Sequence, residues 1–424
     1  MTQVWKPEHI DLPAAIRVGD AIVWGQACGE PQTVTEALVA QRAALGGVKV
    51  FMGASFSQTV LPEHADFLQI SGLGGVGSGR RLTRARAMAV RPLHISQVGP
   101  CIEQGLIACD VAIVQVSRPN ARGEYSYGLT ADYIQSAVLK ARTVIAESND
   151  QVPFSRGTGV LRAADIDFLV ETSRPALEVP SAPITDLERA VARHIEAYVP
   201  DGATLQVGIG AIPDAVVSAI GNRRDLGVHS GMIGDSVVDL MQRGVVTNAR
   251  KPIDAGVTIT GTLIGTRRLY AFANDNPAIG MRPPTYTHSE EVLARLPALI
   301  SLNSAIEVDL TGQVNAEEAG GEHVGAVGGQ VDYVRGAVRS NGGHSFIALP
   351  ASAQKGTLSR IVARVSGAVT TARSDVDIVV TEFGAAELRG RTLAERAKAL
   401  IAIAAPQFRE GLEREAHALL KTLS

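Results

Sequence analysis

The sequence predicts an α/β fold in two domains, and three observations carry that expectation. Short apolar runs of strand type alternate with helical patterns along all 424 residues. Glycine is abundant at 43 residues while aromatics make up 4%, a mixture suited to many tight strand–loop–helix turns. Pro175, Pro180 and Pro183 interrupt the pattern near residues 173–184, where a chain that must change direction avoids regular structure. The expected domains are 1–183 and 184–424.

Taken in order, 48–52, 111–116, 143–147 and 168–170 read as strands, and 34–45 and 131–141 as helices. Continuous apolar runs separated by helices argue for parallel sheet built from βαβ units. After the proline segment, Thr185 and Glu188 have the spacing of a capping box, and Leu187, Ala190, Val191, Ile195 and Tyr198 follow at helical period. The second half repeats the style. Strands are expected at 204–207, 299–310, 345–349 and 376–381, and helices at 211–220, 393–401 and 406–420.

Composition excludes several classes of function. Lys plus Arg number 40 against 43 Asp plus Glu, a net charge of −3, so no general basic field invites nucleic acid. No apolar run is long enough to span a bilayer, and Met1 to Ile10 lacks a secretory core; a cytoplasmic location is expected. Cys28, Cys101 and Cys109 form no Cys-x-x-Cys pair, which suggests a reducing compartment. The nine histidines include no His-x-x-x-His pair. No metal site is expected, and structural or surface roles are expected of the histidines.

Four motifs bear on chemistry. Gly72, Gly74 and Gly77 fit a G-x-G-x-x-G pattern, but no acidic residue follows at the distance a dinucleotide ribose needs. The alternative is a flexible glycine loop beside a solvated basic helix. Gly208-Ile-Gly210-Ala-Ile212-Pro213 lies between a strand and a helix; its glycines let a ligand approach the backbone, and its exposed amides favour an anion or a carbonyl oxygen. Gly328 and Gly329 precede a strand-like run, 331–334, and paired glycines can aim N–H groups at an oxyanion. Along 301–310, Asn303, Ala305, Glu307 and Asp309 share one strand face, which lines a cleft or meets solvent. No Gly-x-Ser-x-Gly elbow is present.

Together these segments resemble the single-chain acetyl-CoA hydrolase/transferase family, which includes 4-hydroxybutyrate and acetate CoA-transferases. The likeness runs over nearly the whole chain. It is carried by Gly29-Glu30-Pro31, Asp110 to Val116, Gly208 to Ala215, Gly265-Thr-Arg-Arg-Leu-Tyr270, Asn303 to Gln313, Val327 to Asp332, Ile347 to Pro350, Thr381 to Gly384 and Pro406 to Glu410. It implies two CoA-transferase-type α/β domains with the active cleft between them, and a homodimer or homotetramer. Acyl-CoA is the implied substrate, with possibly a carboxylate acceptor, and no permanently bound cofactor is implied. Gly208, Gly210, Ile212, Gly329 and Lys355 would contact CoA, while Asn303 and the Gly328 backbone would polarise the thioester.

One departure limits what the likeness carries. The family's nucleophile is a glutamate in a His-Ser/Thr-Glu-Met segment, which stores CoA as a glutamyl thioester. Here the segment is His229-Ser230-Gly231-Met232, and glycine cannot form that intermediate. Three classes of function follow: thioester hydrolysis or related acyl-CoA cleavage without the intermediate; CoA transfer through a displaced carboxylate such as Glu307 or by direct attack of the acceptor, an engineered Glu-to-Gly variant included; and CoA binding without turnover.

Overall fold

A computed structural model describes residues 2–157 and 159–423. Two largely parallel sheets organise them. The first contains β1 Gln3–Trp5, β2 Ala21–Trp24, β3 Val48–Met52, β4 Leu68–Gly72, β5 Ala89–Val90, β6 Val111–Val116, β7 Thr143–Asn149 and β8 Phe168–Thr172. Its order is β1-β8-β7-β6-β2-β3-β4-β5, all parallel. Every residue of β6 and β7 is buried. Alternate residues of β6 feed two cores: Ala112, Val114 and Val116 pack on one face, Val111 and Ile113 on the other.

The central strands also serve the helices. Glu147 of β7 is fully buried, and its carboxylate accepts from the Thr33 and Val34 amides at 2.8 and 3.2 Å. The Thr33 amide is an orphan donor at the start of helix Gln32–Gln41, whose own N-cap is Pro31, and the Val34 amide is shared with the Pro31 carbonyl at 3.1 Å. Segment 173–184 contains no helix or strand. Helix Asp186–Glu196 follows, with the expected box: the Thr185 amide donates to Glu188 at 2.8 Å.

The second sheet contains β9 Thr204–Gln206, β10 Gly227–Val228, β11 Leu299–Ser304, β12 His344–Ala348, β13 Ile378–Thr381 and β14 Gly384–Glu387. Its order is β10-β9-β11-β12-β13-β14, parallel except for the final hairpin. Val114 and Val116 of the first sheet share one core cluster with Leu205 and Ile300 of the second. Among the described residues no helix is long and apolar enough to cross a membrane.

Two expectations are corrected here. The strand expected over 299–310 is two strands: Leu299–Ser304 belongs to the second sheet, while Glu307–Asp309 pairs with Val314–Asn315 and Ile361–Val362 in a separate one. Asn303 and Glu307 therefore share no strand face. The strand-like run 331–334 is helical, within Gln330–Arg339, because Val331, Val334 and Ala337 recur at helical spacing on its buried side.

The glycine pattern at 72–77 has a structural role that neither sequence reading anticipated. The Gly75 amide donates to the Gly325 carbonyl at 2.8 Å, and Gly74, at φ +144°, bridges Ala326. A Cβ at Gly75 would strike the backbone of His323 and Val324. These glycines let backbone from the second half of the chain pass against the loop after β4. The Ile95 amide to the Gly328 carbonyl (2.9 Å) and the Ala131 amide to the Gly261 carbonyl (2.9 Å) extend that seam.

Candidate active site

The carboxyl ends of the second sheet gather the residues of interest. β10 runs into His229-Ser230-Gly231, β9 into Val207 to Gly210, β11 ends beside Asn303, and β12 leads toward Lys355. This edge is where open parallel sheets bind ligands. A side chain at Gly208 would meet nothing nearer than Pro213 at 3.8 Å, so space lies open above that turn. Gly210, at φ +118°, is the N-cap of helix Ala211–Ala219, a conformation that favours glycine. Ile212 is buried in the core and can offer a ligand only its backbone. Lys355 is exposed and left-handed at φ +57°.

Asn303 and Glu307 are both committed to protein partners. The Asn303 amide donates to Gln206 Oε1 at 3.2 Å and to Ser301 Oγ at 2.9 Å, and Ser301 donates to the same Gln206 oxygen at 2.7 Å. Both amide protons are therefore used. The Glu307 carboxylate accepts from Asn315 Nδ2 (3.0 Å), the Ser366 amide (2.5 Å) and Ser366 Oγ (2.9 Å). All three donors meet Oε1, so the carboxylate is held in one orientation by its own surroundings.

Gly231 has no side chain because His288 stands where one would begin. A Cβ there would lie 2.7 Å from His288 Cε1 and 2.8 Å from Nε2, and 3.6 Å from the Tyr333 hydroxyl. The ring is held on its other sides too. A Cβ on Gly329 would overlap His288 Nε2 and Cδ2, Tyr333 packs at 4.6 Å between ring centroids, and Nδ1 meets Thr287 Oγ1 at 2.8 Å. The Thr287 hydroxyl points its proton to the Pro283 carbonyl at 3.4 Å. With that bond kept, the hydroxyl accepts from Nδ1–H, and Nε2 is assigned from these contacts as the ring's lone-pair nitrogen.

The surroundings keep both site histidines neutral. Burial, followed by the nearby His229, holds His288 down at about 3. Burial, followed by the Lys251 charge, does the same for His229. Lys251 itself is buried beneath β10, donating to the Val228 and Val257 carbonyls at 3.1 and 2.7 Å, and burial lowers it to about 8. Among the described residues, the His229 ring nitrogens, the Tyr333 hydroxyl and Gln330 Nε2 make no well-formed hydrogen bond, though His229 faces the Tyr286 and Thr287 backbone and the Tyr333 hydroxyl faces Thr287. Buried polar atoms are usually satisfied, so this cluster is a place where water or ligand belongs.

Gly328 and Gly329 flank the same spot. Gly328 sits at φ +58°, and Gly329 is the N-cap of helix Gln330–Arg339. Gly328 is bridged in parallel to His94, with the Ile95 amide donating to its carbonyl, while the Gly329 amide lies at the helix start. Beside them Asp332 accepts from Ser96 Oγ at 3.0 Å, and burial pushes its carboxyl up to about 7.

His288, Tyr333 and Gln206 were not singled out by the sequence. They come from three distant segments, and no spacing pattern links them. Only the filled space at Gly231 brings His288 into view.

Comparison with known proteins shows the family of the chain. Residues 7–178 match the acetyl-CoA hydrolase/transferase N-terminal domain, and residues 265–416 its C-terminal domain. The chain is 38% identical to 4-hydroxybutyrate coenzyme A transferase of Clostridium kluyveri over 93% of each chain. It is 35% identical to succinyl-CoA:cyclohexane-1-carboxylate CoA transferase of Geobacter metallireducens over 96% of this chain and 94% of the relative. The crystal structure of RipA from Yersinia pestis superposes with a TM-score of 0.93 at 32% identity, covering 98% of this chain and 97% of the other.

Proposed function

Because this chain belongs to the acetyl-CoA hydrolase/transferase family and is an enzyme of one of those two kinds, we propose that it hydrolyses short acyl-CoA thioesters by direct attack of water. The observation that carries this reading is the occupied space at Gly231: a neutral imidazole stands where a side chain would start. The resemblance puts the family's glutamate at that position, and no carboxylate replaces it. Glu307 is held by three donors.

The remaining parts of the site suit thioester chemistry. Acyl-CoA would enter over the open turn at Gly208 and Gly210, with Lys355 available to a CoA phosphate as a point charge. The Gly329 amide at the helix start would receive the oxyanion as the carbonyl is attacked, and one such donor contributes about 10²–10³ in rate. Asn303, through Gln206 and Ser301, would set the floor beneath the acyl group.

The test is product analysis. Acyl-CoA esters are incubated with the protein in ¹⁸O-water, with and without acetate. Free CoA and one ¹⁸O in the released acid are expected, in amounts indifferent to acetate. The high identity to CoA transferases favours the competing reading, direct transfer to an acceptor acid. New acetyl-CoA appearing only with acetate would establish that reading and overturn hydrolysis.

A further inference from the structure

We infer that His288 is the catalytic base of this reaction, taking the proton of the attacking water on Nε2. The inference rests on the hydrolytic reading above. Three observations carry it. Nε2 is the lone-pair nitrogen, because Nδ1–H is spent on Thr287. Nε2 makes no hydrogen bond among the described residues and lies at the boundary between Gly231 and Gly329. The Tyr333 hydroxyl, without a well-formed hydrogen bond among the described residues and 3.6 Å from the Gly231 Cβ position, offers a second contact. An ordered water needs two to four polar partners. The ring nitrogen and the phenol supply two, and the Gly329 amide at the helix start stands beside them.

The step balances as follows. The water oxygen bonds to the thioester carbon while one water proton passes to Nε2, and the carbonyl oxygen takes the negative charge toward the Gly329 amide at the helix start. Collapse of the tetrahedral species breaks the carbon–sulfur bond. The CoA thiolate leaves and takes the proton from Nε2, so the products are a carboxylic acid and CoA thiol. The ring is neutral at rest and can accept the proton on Nε2; because burial disfavours the imidazolium, the negative charge developing on the thioester oxygen is what stabilises it in this step. The Thr287 contact fixes ring orientation throughout, as the orienting partner of a catalytic histidine does.

The experiment compares wild type, His288→Gln and His288→Ala in acyl-CoA hydrolysis, with CoA affinity measured separately. Loss of a general base typically costs about 10²–10⁴ in rate, so kcat should fall by that factor in both variants while CoA binding changes only a few-fold. Exogenous imidazole should restore part of the activity of His288→Ala, which a purely structural role would not allow. Wild-type hydrolysis combined with an undiminished His288→Gln kcat would overturn the inference and leave the hydrolytic reading standing. Wild type that releases no free CoA would remove both. If the variants fail to fold, ¹⁵N-histidine NMR of the wild type decides: a neutral ring protonated on Nδ1 at pH 6 supports the assignment, and an Nε2–H tautomer or a charged ring overturns it.

Discussion

The packing around Gly231 makes a quantitative prediction that needs no substrate. Gly231→Ala adds one Cβ, 2.7–2.8 Å from two atoms of the His288 ring, where ordinary contacts begin near 3.4 Å. The ring's retreat is restricted. Gly329 blocks one side, Tyr333 another, and the Thr287 hydrogen bond fixes the tilt. Overpacking of this kind costs about 1–3 kcal/mol. His288→Ala alone should cost about 2–4 kcal/mol, through lost packing and a cavity. In the double variant the methyl occupies space the ring has left, so the two costs should not add. Residues in contact show coupling of about 0.5–3 kcal/mol, and the upper half of that range is expected here. Urea unfolding of the four proteins closes the cycle. Strict additivity, or a Gly231→Ala protein as stable as wild type, would refute the claim that His288 fills this position. The same cycle redirects any attempt to install a carboxylate. Gly231→Glu alone should fail to form a covalent CoA adduct, whereas Gly231→Glu with His288→Ala should yield one cleavable by hydroxylamine.

Other expectations follow from the same structure. CoA or a short acyl-CoA at 100 times its Kd should stabilise the protein by about 2.7 kcal/mol, and the absence of any shift in melting temperature would contradict an acyl-CoA site. His229 and His288 sit at about 3 in the folded protein against 6.5 as free groups. Between those values the unfolded chain binds a proton that the folded one refuses, so stability falls as pH drops from 6.5 toward 3. Each histidine contributes about 1.4 kcal/mol per pH unit. Asp332 acts oppositely, since its folded value near 7 makes stability rise as pH falls from 7 toward 4. The test is the difference between wild type and His288→Gln in unfolding free energy against pH, which should isolate one histidine's slope; parallel curves would show that His288 is charged or exposed. Glu307→Gln should leave the chemistry intact and lower stability, while abolition of turnover without unfolding would revive it as a nucleophile. Asn303→Ala should reduce kcat less than tenfold, because its amide protons serve Gln206 and Ser301. A hundredfold loss would mean that the amide turns to the substrate.

Much of the fold was legible because parallel strands write themselves as uninterrupted apolar runs. Val48–Met52 and Val111–Val116 have the bounds expected of them, and the Thr185–Glu188 box starts its helix. Where reading failed, the missing information was a partner. The run 299–310 keeps strand character throughout, yet the chain leaves one sheet and joins another near Ala305, a choice made by which neighbour offers hydrogen bonds. The four residues 331–334 are too short to distinguish a period of 2 from one of 3.6. The glycines at 72–77 resembled a phosphate loop because both uses demand the same absence of a side chain; what differs is whether the backbone approaching them belongs to a ligand or to the protein itself.

The site divides along the same physical line. A glycine in sequence states only that something is missing, and Gly231 by itself is equally compatible with a vacancy, a decayed pocket and a rebuilt one. The position of His288 speaks against a vacancy, which would leave open space of the kind found at Gly208, whereas Gly231 is in contact. The ring is also costly to keep. It is nearly buried, its charged form is disfavoured, and it forces Gly329 as well as Gly231 to lack side chains. A site that had merely lost its carboxylate would carry none of these linked constraints. That Gly231 and Gly329, from distant parts of the chain, both make room for one ring is the packing expected of a cleft built around an imidazole, and it is the packing on which the proposed attack of water depends.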